Sequence, residues 1–322
     1  MRAIGAVATA VLLAGVAIGT SSRAQGYPNR PVRIVVGFIP GSAADITARV
    51  LGNGLGKLLG QQFVIENKPG AGSNLAAEFS AHAPKDGYTL FLGSSANITN
   101  QVITPNLGFD MTKDYAPIAL ATLAPVILVV HPATGVKSVG GLIALAKAKP
   151  GEILYASTGV GTAPHLAAEL FDTRAGVKMV HVPYQGSPQA VTDLIAGRTA
   201  VMFSPASAVI AQIEAGKLTA LASATDKRPS IAPNLPTMAE AGMADFDTSI
   251  WFGLMAPAGT PGEITDKLAR AVPEAIKTSE AQTALKSQGF DTLSGGPEAF
   301  ARFIIAETSK WSEAAKAAGL KK

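Results

Sequence analysis

Four stretches of this sequence set small and hydroxyl-bearing residues between an apolar run and the start of a helical pattern. They are Gly37-Phe38-Ile39-Pro40-Gly41-Ser42-Ala43-Ala44-Asp45, Gly93-Ser94-Ser95-Ala96-Asn97, Ser157-Thr158-Gly159-Val160-Gly161-Thr162 and Ser204-Pro205-Ala206-Ser207. A helix start presents unpaired backbone N–H groups and the positive end of the helix dipole. Small residues let an anion approach those groups. Several such loops converging on one cleft make a carboxylate site that needs neither Lys nor Arg. Each loop alone reads equally as helix capping by Ser, Thr, Asn or Asp. Four together, in a chain with no catalytic constellation, favour binding.

The competing chemistries fail in detail. Gly159-Val160-Gly161 begins a dinucleotide-like pattern, but Pro164 stands where a third glycine belongs, and no glycine loop ends in Gly-Lys-Ser or Gly-Lys-Thr. The histidines His82, His131, His165 and His181 include no pair at helical spacing for zinc. No Gly-x-Ser-x-Gly elbow occurs. Without cysteine there is no thiol nucleophile, disulfide or thiolate metal site. The expectation is a binding protein and not an enzyme, with no cofactor and no metal. His165, three residues after Thr162, is placed either to contact a ligand or to satisfy local backbone groups. A hydrolase or lyase using His165 and a serine is the rival reading. Asp45, Glu78, Glu169 and Asp193 have ordinary helix spacing, with Asp45 the best placed for a direct role. Phe38 and Tyr184 can wall a small ligand body or pack a hinge.

The elements that position these loops alternate between β and helical patterns. Val32–Phe38, Gln62–Glu66, Tyr88–Leu92, Ala124–Val130, Ile153–Ser157, Val177–Val182, Thr199–Phe203, Leu218–Ala224 and Trp251–Met255 read as strands. Helical patterns separate most of them, and three close the chain, at Gly262–Lys277, Glu280–Gln288 and Pro297–Ala318. This rhythm implies βαβ units and mainly parallel sheets flanked by helices. A composition of 48% hydrophobic and 16% charged residues suits packed α/β domains rather than disorder.

The N-terminus reads as a secretory leader. Arg2 precedes the apolar run Ala3–Ile18, and Ser22-Arg23-Ala24 sets small residues at the −3 and −1 positions of a cut after Ala24. The run is short for a spanning helix, which needs about 20 apolar residues. Residues 1–24 are therefore expected to be removed, leaving a mature chain in the periplasm that is not inserted in the membrane. Its scattered basic residues argue against a nucleic-acid partner.

Further residues resemble a known family. Tyr27-Pro28-x-x-Pro31-Val32-Arg33, Phe38-x-Pro40-Gly41 with Asp45, Val64-x-Glu66-Asn67-x-Pro69-Gly70-Ala71-Gly72 and Asp86-Gly87-Tyr88-Thr89-Leu90 stand in order in the first third. Ser157-x-Gly159-x-Gly161-Thr162-x-x-His165-Leu166, Val182-Pro183-Tyr184-x-Gly186, Pro236-Thr237-x-x-Glu240-Ala241-Gly242 and Trp251-Phe252-Gly253-Leu254-x-Ala256-Pro257-x-Gly259-Thr260-Pro261 follow. Together they resemble the periplasmic binding proteins of tripartite tricarboxylate transporters, the Bug family. The resemblance implies a two-lobed flytrap of the periplasmic-binding-protein type. It also implies a small mono- or dicarboxylate between the lobes, and a membrane permease as partner. A sensor subunit that presents the ligand to a membrane receptor is the alternative.

Loops and resemblance together set the expected ligand-binding residues. They are Phe38, Ile39, Gly41, Ser42, Ala43 and Asp45; Ser94, Ser95 and Asn97; Ser157, Thr158, Gly159, Gly161, Thr162 and His165; and Tyr184, Ser204 and Pro205. The expected lobes are 25–124 with 253–322, and 125–252, in a monomer that closes about hinges near Leu123–Pro125 and Ser249–Phe252. Two departures from the family pattern matter. Ser42 replaces a second glycine after Pro-Gly, and Ser204-Pro205 follows Met202-Phe203 where many relatives carry Asp. The second departure removes the natural partner of a cationic ligand group.

Overall fold

The computed structural model describes residues 26–317, so the leader expected at residues 1–24 lies outside the described residues. The chain opens with β1 (Val32–Val36), α1 (Ala43–Leu59), β2 (Phe63–Asn67), α2 (Asn74–Ala81), β3 (Thr89–Ser94) and α3 (Ser95–Ile103). In α1, Ala44, Ala48, Leu51 and Leu55 recur at helical spacing and are buried. Ser42 caps its start, and Gly60, with a left-handed φ of 73°, ends it.

The apolar run at Ala124–Val130, read as one strand, is the junction of two: β4 (Tyr115–Ala124) and β5 (Val126–Val130). Pro125 separates them, because it has no N–H to extend a ladder. Most of β4 was hidden in the sequence by Pro117 and by the lack of alternation. The chain continues with α4 (Val139–Ala148), β6 (Leu154–Ser157), α5 (Ala163–Ala175), β7 (Val180–Pro183), α6 (Ser187–Ile195), β8 (Val201–Pro205), α7 (Ala206–Glu214) and β9 (Thr219–Ser223). β10 (Ile250–Pro257), α8 (Gly262–Lys277), α9 (Ser279–Lys286), β11 (Asp291–Thr292) and α10 (Pro297–Ala317) complete it.

The strands form two sheets flanked by helices. The first has the order β11-β4-β10-β3-β1-β2, the second β7-β6-β8-β5-β9. β1 lies parallel to both β2 and β3, while β10 is inserted antiparallel between β3 and β4. In the second sheet β6 is parallel to β7 and β8, and β5 is inserted antiparallel between β8 and β9. β4 therefore shares the direction of β1–β3, and β9 that of β6–β8. Both sheets are mixed: most strands share one direction, and the inserted strands β5 and β10 and the edge strand β11 are reversed. The reversal of β5 and β10 has a topological cause. The carboxyl ends of the parallel strands face the cleft, so a strand that enters a sheet from the cleft must run against them. β5 and β10 are those entering strands. Ile250, Trp251 and Phe252 already pair with β4 in the first sheet.

α10 closes the first sheet through a buried polar contact. Glu307 accepts hydrogen bonds from the indole N–H groups of both Trp251 and Trp311 at 3.0 Å. Trp251 is further held edge-on by Phe300 and Phe303. Glu307→Ala leaves two core donors unpaired and is expected to cost about 2–5 kcal/mol in urea unfolding. Glu307→Gln keeps an acceptor and should cost clearly less. An unchanged midpoint for the alanine variant refutes this account.

Candidate functional site

Between the two sheets lies a narrow cavity into which helix starts project from both sides. The first sheet supplies Phe38 after β1, then Ser42, Ala43 and Ala44 at the start of α1, and Ser94, Ser95 and Ala96 at the start of α3. The second supplies Thr158, then Thr162, Ala163 and Pro164 at the start of α5, Ser187 at the start of α6, and Pro205 before α7. Ile250 and Phe252 of β10 close one wall. No charged side chain is among these lining residues. The first amides of these helices have no partner within their own helix, and the dipoles favour negative charge. The fourth loop contributes less than the others. Its Ala206 N–H, the first of α7, donates to Pro125 O at the chain crossing.

Ser95 is the most informative side chain. It is fully buried and its Oγ has no hydrogen-bond partner. Leaving a buried hydroxyl unmatched is costly, and this one belongs to a cavity wall. Its neighbours in the sequence are committed to structure. Asn97 Oδ1 accepts from the Ser94 amide at 3.0 Å and its Nδ2 donates to Ser73 Oγ at 3.2 Å, which closes the start of α3. Thr162 lines the cavity, but its hydroxyl donates to Gly159 O at 2.7 Å, so it braces the loop. Ser42 Oγ accepts from the Asp45 amide at 3.3 Å and keeps its own proton free to donate.

Several residues expected in the site support it from behind. Asp45 does not line the cavity. Its carboxylate accepts from the Gly41 amide at 3.0 Å, from Asn67 Nδ2 at 2.9 Å and from both Arg49 donors at 2.8 and 3.0 Å. Burial alone pushes this carboxyl up; Arg49, the Gly41 amide and Asn67 outweigh burial and hold it below the usual range. Asp45 therefore ties the first loop to β2. Ile39 packs toward Gly186. Ser204 Oγ donates to Pro205 O, and Gly41, Ser157 and Gly161 are likewise absent from the wall. Gly159 and Tyr184 line a second, more open space beside the first, which shares Phe38 and Thr158 with it. Tyr184 OH donates to Asp193 Oδ2 at 2.7 Å.

The wall also holds Ala44, Ala96, Ala163, Pro164, Ser187, Ile250 and Phe252, which are not among the individual residues expected to bind ligand. Ser187 was findable, because Gly186-Ser187-Pro188 repeats the small-and-hydroxyl pattern before a helix. Phe252 was not. It reaches the cavity because β10 pairs it with Ser94 across the first sheet.

His165 sits beneath the second-sheet loop. Its Nδ1 accepts from the Gly161 amide at 3.2 Å, so the neutral ring carries its proton on Nε2, facing Glu169 Oε1 at 3.8 Å. Its ring stacks on His181 at 4.2 Å, and His181 stacks on Tyr155 at 4.9 Å. His181 Nε2 meets Ser157 Oγ at 2.6 Å, and Tyr155 OH donates to Glu169 Oε1 at 2.5 Å. Burial pushes both histidines down to about 4. Glu169 does not reverse this, since it already accepts from Tyr155. Two neutral rings thus hold the loop from behind.

Comparison with known proteins gives a consistent answer. The model of the tripartite tricarboxylate transporter family receptor matches residues 47–320. BugT of Bordetella pertussis is 35% identical over 322 residues, covering 99% of this chain and 98% of BugT. A Rhodopseudomonas palustris protein solved with adipate is 35% identical, with a TM-score of 0.88, covering 91% of this chain and 98% of that one. MatC from Rhodopseudomonas palustris with bound malate is 31% identical, with a TM-score of 0.85, covering 89% and 99%.

The histidine stack makes stability depend on pH. Folded pKa values near 4, against 6.5 for an unperturbed histidine, mean that the unfolded chain binds more protons between those limits. Stability is complete above about 6.5 and declines as pH falls toward about 4. Asp172 works in the opposite sense. Burial holds it up at about 6, so it costs stability as pH rises through that range. Two histidines outweigh one carboxyl. The melting temperature should therefore fall between about pH 7 and about pH 4.5, and His181→Gln should flatten that fall. A variant with the wild-type slope excludes the stack as its origin.

Proposed function

This chain belongs to the tripartite tricarboxylate transporter receptor family, a family of solute-binding proteins and not of enzymes, and from that premise we propose that it captures a small mono- or dicarboxylate without an amine. The unpartnered Ser95 hydroxyl, buried in a cavity lined by helix starts and by no charged side chain, carries the reading. Hydroxyl and amide donors match a carboxylate, and each such contact is charge-assisted. Phe38, Pro164, Pro205, Ile250 and Phe252 suit the carbon skeleton between or beyond the carboxyl groups. An ammonium finds no anion in the wall, and Asp45 is already matched by Arg49, Asn67 and Gly41. Moving an unpaired ammonium into such a site costs several kcal/mol. Relatives of known structure carry adipate and malate, two carboxylates without an amine, which supports the class.

The reading extends to place and partner. The mature chain acts in the periplasm after loss of residues 1–24 and hands its ligand to the membrane permease of a tripartite transporter. Residues 26–124 with 250–317 form one lobe and 126–249 the other, since Ile250–Phe252 already pair with β4 of the first sheet. The chain crosses at Pro125 and again before β10, and the lobes close about these crossings. No helix among the described residues is long and apolar enough to cross a membrane.

Two experiments test this. Calorimetry with matched pairs, succinate against aspartate and adipate against 2-aminoadipate, should show the amine-free member binding more tightly. Tighter binding of the amine-bearing members overturns the ligand class. Ser95→Ala should weaken carboxylate binding by about 1.5–3 kcal/mol while leaving the ligand-free melting temperature unchanged. Unaltered affinity makes Ser95 a mere packing residue.

A further inference from the structure

The helix that carries Ser95 also touches the opposite lobe. One turn beyond Ser95, Thr99 and Asn100 are both buried. Thr99 Oγ1 donates to the carbonyl of Gly161 on the second-sheet loop, and Ala96 O of its own helix lies in range at 3.0 Å. Asn100 Nδ2 donates to Ala96 O at 2.9 Å and to Gly72 O at 3.1 Å. Its Oδ1 occupies the place of a side chain on Gly161, 1.9 Å from where a Cβ would stand. Gly161 also has a φ of +75°, which favours glycine. On the other side of Asn100, a Cβ on Gly72 would lie 2.3 Å from Val160 O. Two glycines, one from each lobe, thus let the backbones meet around one asparagine. Leu166, at the start of α5, adds an apolar anchor. It is buried within the first-sheet cluster that contains Ile98 and Val102.

We propose that Thr99 and Asn100 are positioning residues for carboxylate capture. They latch Gly161 across the cleft, and so hold the second-sheet loop in the conformation that presents the start of α5 to the ligand. The inference rests on the binding function proposed above. Gly161 is gripped on both sides, its N–H by His165 Nδ1 and its C=O by Thr99. Thr99 has one hydroxyl proton for two carbonyls. When the lobes part, that proton returns to Ala96 O within the helix, so opening leaves no buried donor unmatched. The latch therefore has two satisfied positions. Because α3 bears both Ser95 and the latch, ligand contact and lobe contact are made by one rigid element.

The chain has no cysteine, so a clean label pair can be introduced at the exposed positions Asn53 on α1 and Lys147 on α4. Spin labels on Asn53→Cys and Lys147→Cys report the interlobe distance by pulsed dipolar spectroscopy, with and without saturating adipate or malate. Thr99→Val and Asn100→Ala should each shift the distances to longer values. Thr99→Val, close in shape, should do so with little change in the ligand-free melting temperature, whereas Asn100→Ala also loses its bonds to Ala96 O and Gly72 O and should melt somewhat lower. Each should weaken whichever carboxylate binds roughly two- to tenfold. Thr99→Ser, which keeps the hydroxyl, should behave as wild type. Distributions identical to wild type in both Thr99→Val and Asn100→Ala overturn the latch. So does a Thr99→Ser variant as open as Thr99→Val, because the methyl and not the bond would then matter. Wild-type protein that binds neither adipate nor malate bears only on the ligand reading, not on the latch, since the distance comparison is made without ligand as well.

Discussion

β1, β3, β6, β7 and β8 all end at the cleft, and each is followed there by a helix start or the loop leading to one. This shared strand direction is the constraint on which the site depends. A helix start leaves its first amides without internal partners, and burying such groups against one another is unfavourable. Aligned strands deliver five of these starts to one space, and the result is a wall of donors facing a cavity. Of the three strands that break the direction, β11 is a two-residue edge strand, and β5 and β10 are those that enter their sheets from the cleft. The crossings follow from the same constraint.

Donors that converge must still be held apart from competing acceptors. The residues around the cavity divide that task. Asp45, Asn97 and Thr162 satisfy loop and cap amides or carbonyls and so fix the loop shapes. Ser95 and Ser42 keep hydroxyl protons that nothing in the protein claims. A buried carboxylate beside an anion site would repel the ligand. Asp45 avoids this by turning away and pairing with Arg49, which lies on the solvent side of α1. The loop thereby gains a rigid brace without adding charge to the wall.

The second-sheet loop is braced differently. Stacked neutral histidines lie beneath it, and Thr99 and Asn100 reach it from the other lobe. Neutral rings suit the position, since a charged imidazolium at Nδ1 would become a donor and lose the Gly161 amide as a partner. Loop shape, proton state and lobe contact consequently meet at Gly161.

The sequence by itself determined most of the element order, β4 and β11 excepted, the two-lobed α/β class and the loops at which helices begin. Those are local matters: hydroxyl and small residues after an apolar run make a strand end and a helix start wherever they occur. The family followed from many short patterns in fixed order. Side-chain direction was beyond its reach. Asp45 and Ser95 both sit in the first turn of a helix at a cleft, yet one turns back toward Arg49 and Asn67, which lie on α1 and β2, while the other faces the cavity. Ile250 and Phe252 reach the wall only because β10 returns between β3 and β4. The partners that decide these roles are distant in sequence, so which donors remain free is settled only when the two sheets are brought face to face.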